Sequence, residues 1–322
     1  MPAAIRIYEN GGPEVLRLEE VEPGKPAAGE VQIRHTAIGV NYIDVYDRTG
    51  LYPVKLPSGL GREAAGVVTA LGRGVRGLRV GERVAYVFPS PGAYCELRNV
   101  PAERVVRVPR GISDEQAAAL MLKGMTACYL LHRTHQVRAG ETVLVHAAAG
   151  GMGLLLTQLA SRMGVRVLAT VSTSEKAELA RAAGAAEVFD YDDVAAKVRA
   201  ATGGEGVAAV YDGVGRTTFD ASLASLRPHG VLVSYGSASG PVAPLDIGRL
   251  APAGSLYVTR PTLQTFIATP AELARRASDV LGWVADGVID IRVGGRYPLA
   301  DARRAHEDLE GRRTTGKLLL IP

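Results

Sequence analysis

The chain has 322 residues, of which 47% are hydrophobic and 22% charged, with a formal net charge of +4. That length supports a large core and about two domains. Two cysteines exclude a disulfide framework, and no apolar run approaches the roughly 20 residues that span a membrane. Residues 1–6 lack the apolar core of a signal peptide, so we expect a cytoplasmic protein. The basic residues are scattered, and we expect no nucleic-acid partner and no membrane partner.

Residues up to about 110 contain short strands closely separated by glycine and proline, for example at 30–34, 66–70 and 83–87. This pattern is typical of an all-β, barrel-like domain. A capping box at 113–116, Ser-Asp-Glu-Gln, then predicts the start of a long helix that ends near Arg133.

From Glu141 onward, strands and helices alternate. The predicted strands are 142–147, 166–171, 186–189, 208–212, 231–235 and 255–259, and the helices between the first five are 152–163, 174–183, 192–201 and 217–226. This alternation predicts the α/β class, with a doubly wound parallel sheet. Two amphipathic helices, 271–286 and 300–311, and a final strand at 317–321 complete the chain.

The last strand needs a neighbouring strand to pair with, and we expect that neighbour in the β-rich first part of the chain. The first domain is therefore predicted to be discontinuous, with the α/β domain inserted into it. We place the first domain at 1–124 and 265–322 and the inserted domain at 125–264.

A glycine-rich turn follows the first strand of the alternating region. His146 and three alanines lead into Gly150, Gly151, Met152 and Gly153, and an apolar helix follows. A strand, a tight glycine turn and a helix start bring backbone N–H groups and a positive helix end to a phosphate. His146 lies in this turn, and a packed residue at the strand end is a simpler role for it than catalysis.

The tip of the second strand of this region indicates which nucleotide is bound. It carries small hydroxyl residues, including Ser172, where an NAD-binding unit carries a carboxylate for the ribose. Ser172 and Glu175 have capping-box spacing, so Glu175 is interpreted as a helix cap. Lys176 is well placed for a 2′-phosphate, which favours NADP(H) over NAD(H). The alternative is a solvated helix lysine.

At this point the sequence resembles a known family. Gly140, Glu141, Leu144, Ala148, Ala149, Gly150, Gly151, Gly153, Gln158 and Ser161 stand at the spacing of the quinone oxidoreductase/ζ-crystallin signature, and further matches lie at 11–16, 39–44, 46, 50–53, 61–66, 211–215 and 254–261. The resemblance covers essentially the whole chain. It is to zinc-independent NADPH:quinone oxidoreductases of the medium-chain dehydrogenase/reductase superfamily.

The resemblance implies a GroES-like β-barrel catalytic domain, an inserted Rossmann domain, a cleft between them and a homodimer. It implies NADP(H) contacts at Asn41, Tyr46, Lys123, Thr126, Gly151, Met152, Lys176, Tyr191, Tyr235 and Lys317. It also implies that Tyr46, Tyr52 and Arg260 lie near the nicotinamide or the quinone. Gly213 departs from close relatives, where serine is common, and a polar cofactor contact is expected to be lost there.

We expect no metal site. Zinc alcohol dehydrogenases of this superfamily carry a His-Glu pair where this chain has Arg62-Glu63, and a cationic arginine is not a zinc ligand. Cys128, His132 and His135 have the spacing i, i+4, i+7 of one helix face, but ordinary packing or surface roles are the favoured interpretation. Ligands on one straight helix rarely close a tetrahedron.

Three functions remain open at this stage. The first is NADPH-dependent reduction of a quinone by hydride or stepwise electron transfer, in which Tyr46 stacks or hydrogen-bonds near the nicotinamide and Tyr52 donates a proton. The alternative for both tyrosines is an ordinary core or loop-surface role. The second is reduction of a 2-alkenal or enone on the same scaffold. The third is an RNA-binding or structural role, as in some relatives. Arg260 either contacts cofactor or substrate or supports its strand end. Residues 255–259 are predicted to be an edge strand through which two copies pair.

Overall fold

A computed structural model describes residues 1–87 and 90–322 of the chain. The strands are β1 (Ala3–Ile7), β2 (Arg17–Glu20), β3 (Glu30–Val40), β4 (Ser58–Gly59), β5 (Glu63–Leu71), β6 (Arg83–Val87), β7 (Leu97–Pro101), β8 (Val105–Arg107), β9 (Thr142–Val145), β10 (Arg166–Thr170), β11 (Glu187–Phe189), β12 (Val207–Asp212), β13 (Leu226–Ser234), β14 (Tyr257–Thr259), β15 (Val293–Pro298) and β16 (Lys317–Ile321). The α-helices are α1 (Tyr42–Thr49), α2 (Asp114–Tyr129), α3 (Gly151–Arg162), α4 (Ser174–Ala182), α5 (Val194–Ala201), α6 (Phe219–Ala224), α7 (Leu263–Phe266), α8 (Pro270–Ala285) and α9 (Ala302–Glu310).

The chain forms two compact units. The first unit contains residues 1–125 and 267–322, and the second contains residues 126–266. None of the described helices is both long and apolar enough to cross a membrane.

The first unit is built mainly from antiparallel strands. A larger sheet runs in the order β15-β16-β3-β5-β6-β8, with β7 also paired to β3, and a smaller sheet runs β2-β1-β4. The terminal strand β16 pairs with β3, which lies in the β-rich first part of the chain, as predicted. Its parallel neighbour β15 was not predicted, because two glycines, Gly294 and Gly295, interrupt the apolar pattern there. Side chains such as Ile33, Tyr86 and Leu320 fill the core of this unit.

The second unit contains a six-stranded sheet in the order β11-β10-β9-β12-β13-β14. The paired strands of this sheet are parallel throughout, which confirms the predicted doubly wound arrangement. The chain leaves β9 toward β10 and β11 on one side and returns to β12 on the other. The strand order therefore reverses at β9 and β12, and parallel sheets bind ligands at the carboxyl ends of the strands at such a switch point.

The helix after the capping box starts as predicted but ends earlier. Ser113 N–H donates to Gln116 Oε1 (2.9 Å) and Gln116 N–H donates to Ser113 Oγ (3.1 Å), which confirms the box. The α-helix stops at Tyr129, residues 130–134 form a π-helical turn, and His135 has extended backbone. The prediction that Cys128, His132 and His135 share one straight helix is therefore wrong.

Candidate functional site

The glycine turn joins β9 to α3 at the switch point of the parallel sheet. Gly150 is the N-cap of α3, no side chain caps the helix, and its first turn contains no acidic residue. A side chain on Gly153 would overlap the backbone of Ala147 and Ala148, so glycine is required for α3 to start this close to the turn. The first N–H groups of α3, at Gly151 and Met152, therefore begin a helix that no carboxylate side chain neutralises, which is the arrangement that binds a phosphate.

A buried polar network surrounds His146, the residue that leads from β9 into this turn. His146 is fully buried, and its Nδ1 and Nε2 lie 2.8 Å from Thr170 Oγ1 and 3.0 Å from Ser222 Oγ. Ser222 donates its own proton to Asp212 Oδ2 (2.9 Å), so it accepts from His146 Nε2–H. Burial lowers the pKa of His146, and the Asp212 carboxylate opposes that shift. His146 is thus a packed histidine at the strand end.

Tyr191 lies beside the same turn. Its hydroxyl accepts a hydrogen bond from the N–H of Ala147 (3.1 Å), and its ring lies almost parallel to that of His146, with the ring centres 6.1 Å apart. Ala147 has a φ of 50°, which alanine seldom adopts, and the bond to Tyr191 helps to hold it there. Tyr191 therefore belongs to the structure of the turn.

Ser172 and Lys176 come together at the carboxyl end of β10, the strand beside β9. Lys176 Nζ donates to Ser172 Oγ at 3.4 Å, and Ser172 is exposed. The predicted capping role of Ser172 and Glu175 is wrong. Thr173 is the N-cap of α4, and its side chain accepts from the N–H of Lys176. Because Thr173 performs the capping, the Ser172 hydroxyl is left to accept from the Lys176 ammonium just beyond the end of β10.

Tyr235 and Arg260 follow β13 and β14, two further strands of the parallel sheet. Arg260 donates to the carbonyls of Ser234 (3.1 Å) and Gly236 (2.8 Å) and to Ser237 Oγ (3.2 Å). Three bonds to the loop that carries Tyr235 favour the supporting role for Arg260, because they hold the backbone on both sides of that tyrosine.

In the first unit, three tyrosines cluster on and after α1. Tyr46 is buried, and its ring packs edge-on against the half-buried Tyr52, with the ring centres 5.2 Å apart. The Tyr42 ring also lies near Tyr46, with the ring centres 5.8 Å apart. The N–H of Tyr52 donates to the carbonyl of Tyr46 (3.0 Å), so the loop after α1 is tied to the helix.

Asn41 and Lys317 meet in a buried cluster at the ends of β3 and β16. Lys317 Nζ donates to Asn41 Oδ1 (2.8 Å), and both donate to the carboxylate of Glu63, Asn41 Nδ2 at 2.7 Å. Lys123 is half-buried on α2, and burial and the Lys317 ammonium lower the pKa of Lys123 well below its usual value. Thr126 is buried on the same helix, three residues further along.

Comparison with known proteins supports a single family over the whole chain. Residues 27–110 match the alcohol dehydrogenase GroES-like domain, and residues 151–280 match the zinc-binding dehydrogenase domain. A quinone oxidoreductase from Pseudomonas aeruginosa is 49% identical across 100% of both chains. The solved structure of Escherichia coli quinone oxidoreductase complexed with NADPH is 46% identical, with a TM-score of 0.97 over 99% of this chain and 100% of that one.

The chain belongs to the quinone oxidoreductase family of the medium-chain dehydrogenase/reductase superfamily. A 2-haloacrylate reductase from a Burkholderia species is also similar, at 43% identity over 100% of this chain and 99% of that protein. The fold prediction, a Rossmann sheet together with a GroES-like domain, is confirmed.

Gly213, where the family resemblance implies serine in close relatives, lies against Tyr235. A Cβ at this position would lie 2.8 Å from the ring of Tyr235 and 2.9 Å from its hydroxyl. The tyrosine thus occupies the space that a serine side chain would take. A polar hydroxyl remains beside position 213, supplied by residue 235.

Arg62, which stands at the place of a zinc-ligating histidine, is committed to another contact. Its Nε and Nη2 donate to the two carboxylate oxygens of Asp47, at 2.9 and 2.7 Å. This buried bidentate pair satisfies both carboxylate oxygens of Asp47 and uses two of the three Arg62 side-chain nitrogens. Within residues 1–87 and 90–322, no three His, Cys, Asp or Glu side chains are grouped as metal ligands, and His135 instead pairs with Glu141 (3.1 Å).

Sequence reasoning missed two buried acidic residues, one in each unit, that organise the groups around them. Asp212 Oδ1 accepts from the N–H groups of Val214 (2.8 Å) and Gly215 (3.0 Å), and its Oδ2 from Thr218 (2.8 Å). Glu63 holds Asn41 and Lys317. In both cases the available signal is a lone carboxylate at one end of a mainly apolar strand, at the start of β5 and at the end of β12. A buried carboxylate is costly unless it is hydrogen-bonded.

Proposed function

We propose that this chain is an NADPH-dependent quinone reductase that works without a bound metal. One observation carries the proposal: Lys176 and Ser172 lie together at the end of β10, and the uncapped α3 starts at the end of the neighbouring strand β9. A site for a pyrophosphate next to a cation for a 2′-phosphate suits NADPH better than NADH. The similarity to quinone oxidoreductases, one of them complexed with NADPH, supports the same assignment.

We also assign roles to the two domains and to individual residues. We propose that 125–264 is the NADPH-binding domain and that 1–124 with 265–322 is the catalytic domain. The residues proposed to hold NADPH are Asn41, Tyr46, Lys123, Thr126, Gly150, Gly151, Met152, Gly153, Ser172, Lys176, Tyr191, Tyr235 and Lys317. When bound, NADPH would supply reducing equivalents, as a hydride or as stepwise electrons, to a conjugated acceptor that can spread the added charge over its π system.

The tyrosine cluster is proposed to serve the acceptor. Tyr52, half-buried, presents a hydroxyl that donates a proton to the reduced acceptor oxygen, and the buried Tyr46 fixes the Tyr52 ring by edge-on packing. Arg260 holds the loop around Tyr235 and thereby positions that side chain. The bidentate Arg62–Asp47 pair fills the place of a metal ligand, so hydrogen-bond donors are left to stabilise the developing oxyanion.

The deciding experiment measures NADPH and NADH oxidation with 1,4-benzoquinone, with no metal added, in the wild type and in Lys176→Ala. We expect a strong preference for NADPH and a KM for NADPH that rises about tenfold or more in the variant, the usual effect of losing a charge-assisted hydrogen bond. The KM for NADH should barely change. Lys25→Ala is the matched control, because it removes one exposed lysine from the other unit.

Two results would count against the proposal. A folded protein that binds NADPH and fails to reduce any quinone would rule out the reductase assignment. Equal use of NADPH and NADH by the wild type would remove Lys176 and Ser172 as the 2′-phosphate site.

A second candidate function is reduction of a 2-alkenal or another conjugated carbonyl. The whole-chain similarity to a 2-haloacrylate reductase favours it, and its cofactor half would be the same. Turnover of 2-alkenals faster than 1,4-benzoquinone by the same sample would place this function first.

We further propose a homodimer that works in the cytoplasm. β14 stands at one end of the parallel sheet, and within the described residues it pairs with β13 alone. Tyr257, its first residue, is 59% exposed in the single chain. A strand edge of this kind invites pairing, and two copies can join theirs about a twofold axis.

A further inference from the structure

The position of Glu63 follows from the pairing of three strands. β3 runs antiparallel to both β5 and β16, and the register places Gly39 opposite Glu63 and Leu319 opposite Gly39. The end of β3 therefore meets the starts of β5 and β16. Asn41, just after β3, thus lies beside Glu63, the first residue of β5, and Lys317, the first residue of β16. These three residues form what we call the strand-end cluster.

Glu63 is fully buried, and three different elements donate hydrogen bonds to it. Its Oε1 accepts from Asn41 Nδ2 (2.7 Å) and Lys317 Nζ, and its Oε2 accepts from the backbone N–H of Leu122 on α2 (2.5 Å). A buried carboxylate is costly unless its oxygens are hydrogen-bonded and its charge is paired. Here both conditions are met by residues of the first unit.

The cluster allows the Asn41 amide only one orientation. Its oxygen accepts from Lys317 (2.8 Å), and its nitrogen donates to Glu63. A flipped amide would place N–H groups against an ammonium and an oxygen against a carboxylate, and both contacts would be repulsive. Two of the three N–H groups of Lys317 are used inside the cluster. The third has no hydrogen-bond partner among residues 1–87 and 90–322, so it can donate to an oxygen of a ligand.

The space for the Glu63 carboxylate depends on Gly39. A Cβ on Gly39 would overlap Glu63 Oε1 and would lie 2.6 Å from the carbonyl oxygen of Ala118 on α2. Glycine at this position allows the carboxylate to sit between β3 and α2, where it reaches Leu122. The strand, the helix and the carboxylate are therefore fitted to one another.

We propose that Glu63 is a positioning residue for NADPH binding, which orients the Asn41 amide and directs the Lys317 ammonium toward the cofactor. This inference rests on the proposed function, in which Asn41 and Lys317 contact NADPH. Glu63 itself stays within the cluster and acts through these two residues.

The test is the Kd of NADPH, measured by fluorescence titration without any acceptor, in Glu63→Gln. The variant keeps the shape of the side chain but removes the charge that orients Asn41 and Lys317, so we expect Kd to rise roughly tenfold, the effect of about one charge-assisted hydrogen bond. Asp114→Asn is the matched control. Asp114 is also a largely buried, ion-paired carboxylate of the first unit, but its partner is Arg83, and Kd should change less than about twofold, within the scatter of an independent site.

A double-mutant cycle separates positioning from general damage. In an Asn41→Ala background, Glu63→Gln should raise Kd by a clearly smaller factor than it does in the wild type, because one of the groups that it positions is gone. A purely structural role for Glu63 would give the same factor in both backgrounds. Thermal unfolding of each variant confirms that folded protein is being compared.

The outcomes distinguish the two proposals. A wild type that does not bind NADPH overturns the proposed function. A wild type that binds NADPH, with an equal Kd in Glu63→Gln, overturns the positioning role alone. Glu63→Asp covers the case in which Glu63→Gln does not fold, because it keeps the charge but shortens the reach to Leu122 and Asn41. Unchanged Kd in that variant would also overturn the inference.

Discussion

Gly213 and Tyr235 show how one residue determines the space for another. Because a Cβ at position 213 would lie 2.8 Å from the Tyr235 ring, Gly213→Ser should force the ring to turn away. We expect a loss of about 1 kcal/mol in the free energy of unfolding, typical of mild overpacking, and weaker NADPH binding if Tyr235 contacts the cofactor. Urea unfolding and an NADPH titration measure the two effects.

Without the Tyr235 ring, Gly213→Ser should no longer cause this loss in the free energy of unfolding. In a Tyr235→Ala background, Gly213→Ser should change the free energy of unfolding by only a few tenths of a kcal/mol, because the two sites no longer collide. Gly282→Ser is the control, since a Cβ at that position on α8 would have no neighbouring atom within 4 Å. An equal loss with and without the Tyr235 ring would show that the backbone of residue 213 itself rejects a side chain.

At the scale of elements, β14 carries the next prediction. If two copies pair through this edge of the sheet, Tyr257→Asp should place like charges in the interface and shift the protein from dimer to monomer. Sedimentation velocity at micromolar concentration measures the change. Tyr8→Asp is the control, because Tyr8 is similarly exposed and lies in the other unit. A monomeric wild type would exclude a stable dimer, and a dimeric Tyr257→Asp would move the interface elsewhere.

The same scale shows what local pattern could predict. Each predicted strand and helix from Glu141 onward has an observed counterpart, with ends that differ by a few residues, because burial and periodicity are written into consecutive residues. β15 was missed where glycines replaced apolar residues. The strand-end cluster could not be read from spacing, since Glu63 and Lys317 are 254 residues apart and meet only through strand pairing. Most of the proposed cofactor contacts are predictions from the family resemblance, because spacing along the sequence does not indicate them.

Across the first unit, a buried hydrogen-bond chain links helix α9 to the start of α1. Arg48 can only donate, so His306 accepts at Nδ1 (3.0 Å) and donates from Nε2 to Tyr94 (3.1 Å), which donates to Asp44 Oδ2 (2.9 Å). Asp44 Oδ2 also accepts from the N–H of Asn41 (2.8 Å).

Three buried groups of this unit have shifted pKa values. Burial, together with the Asp47 carboxylate, raises the pKa of Asp44 to about 7, and the hydrogen bonds from Tyr94 and Asn41 and the charge of Lys317 oppose the shift. Burial lowers the pKa of His306 to about 3 and that of His35 to about 4.

These shifts predict how the stability of the whole molecule depends on pH. The folded state binds a proton at Asp44 more tightly than the unfolded chain, so this group stabilises the fold below about pH 4 and loses that contribution as the pH rises to about 7. His35 and His306 have the opposite effect. Burial lowers their pKa values in the folded state, so their contribution to the free energy of unfolding grows as the pH rises. In Asp44→Asn only the first contribution disappears, so the free energy of unfolding of the variant should rise relative to the wild type between pH 4.5 and 7.5. The rise should amount to a few kcal/mol at most, since one pKa unit corresponds to about 1.4 kcal/mol.

Urea unfolding at several pH values in this range measures the difference. Asn at position 44 can accept the bonds from Asn41 and Tyr94, but its amide nitrogen takes the place of Asp44 Oδ1, a buried atom without a hydrogen-bond partner among the described residues. That adds a cost that does not vary with pH, so the slope, rather than the absolute stability, carries the test. Asp220→Asn is the control, because the Asp220 side chain is 77% exposed and should give a curve parallel to that of the wild type. Parallel curves for Asp44→Asn and the wild type would show that Asp44 has the same proton affinity in the folded and unfolded states, and the buried chain would then make no contribution to the pH dependence through this carboxyl group.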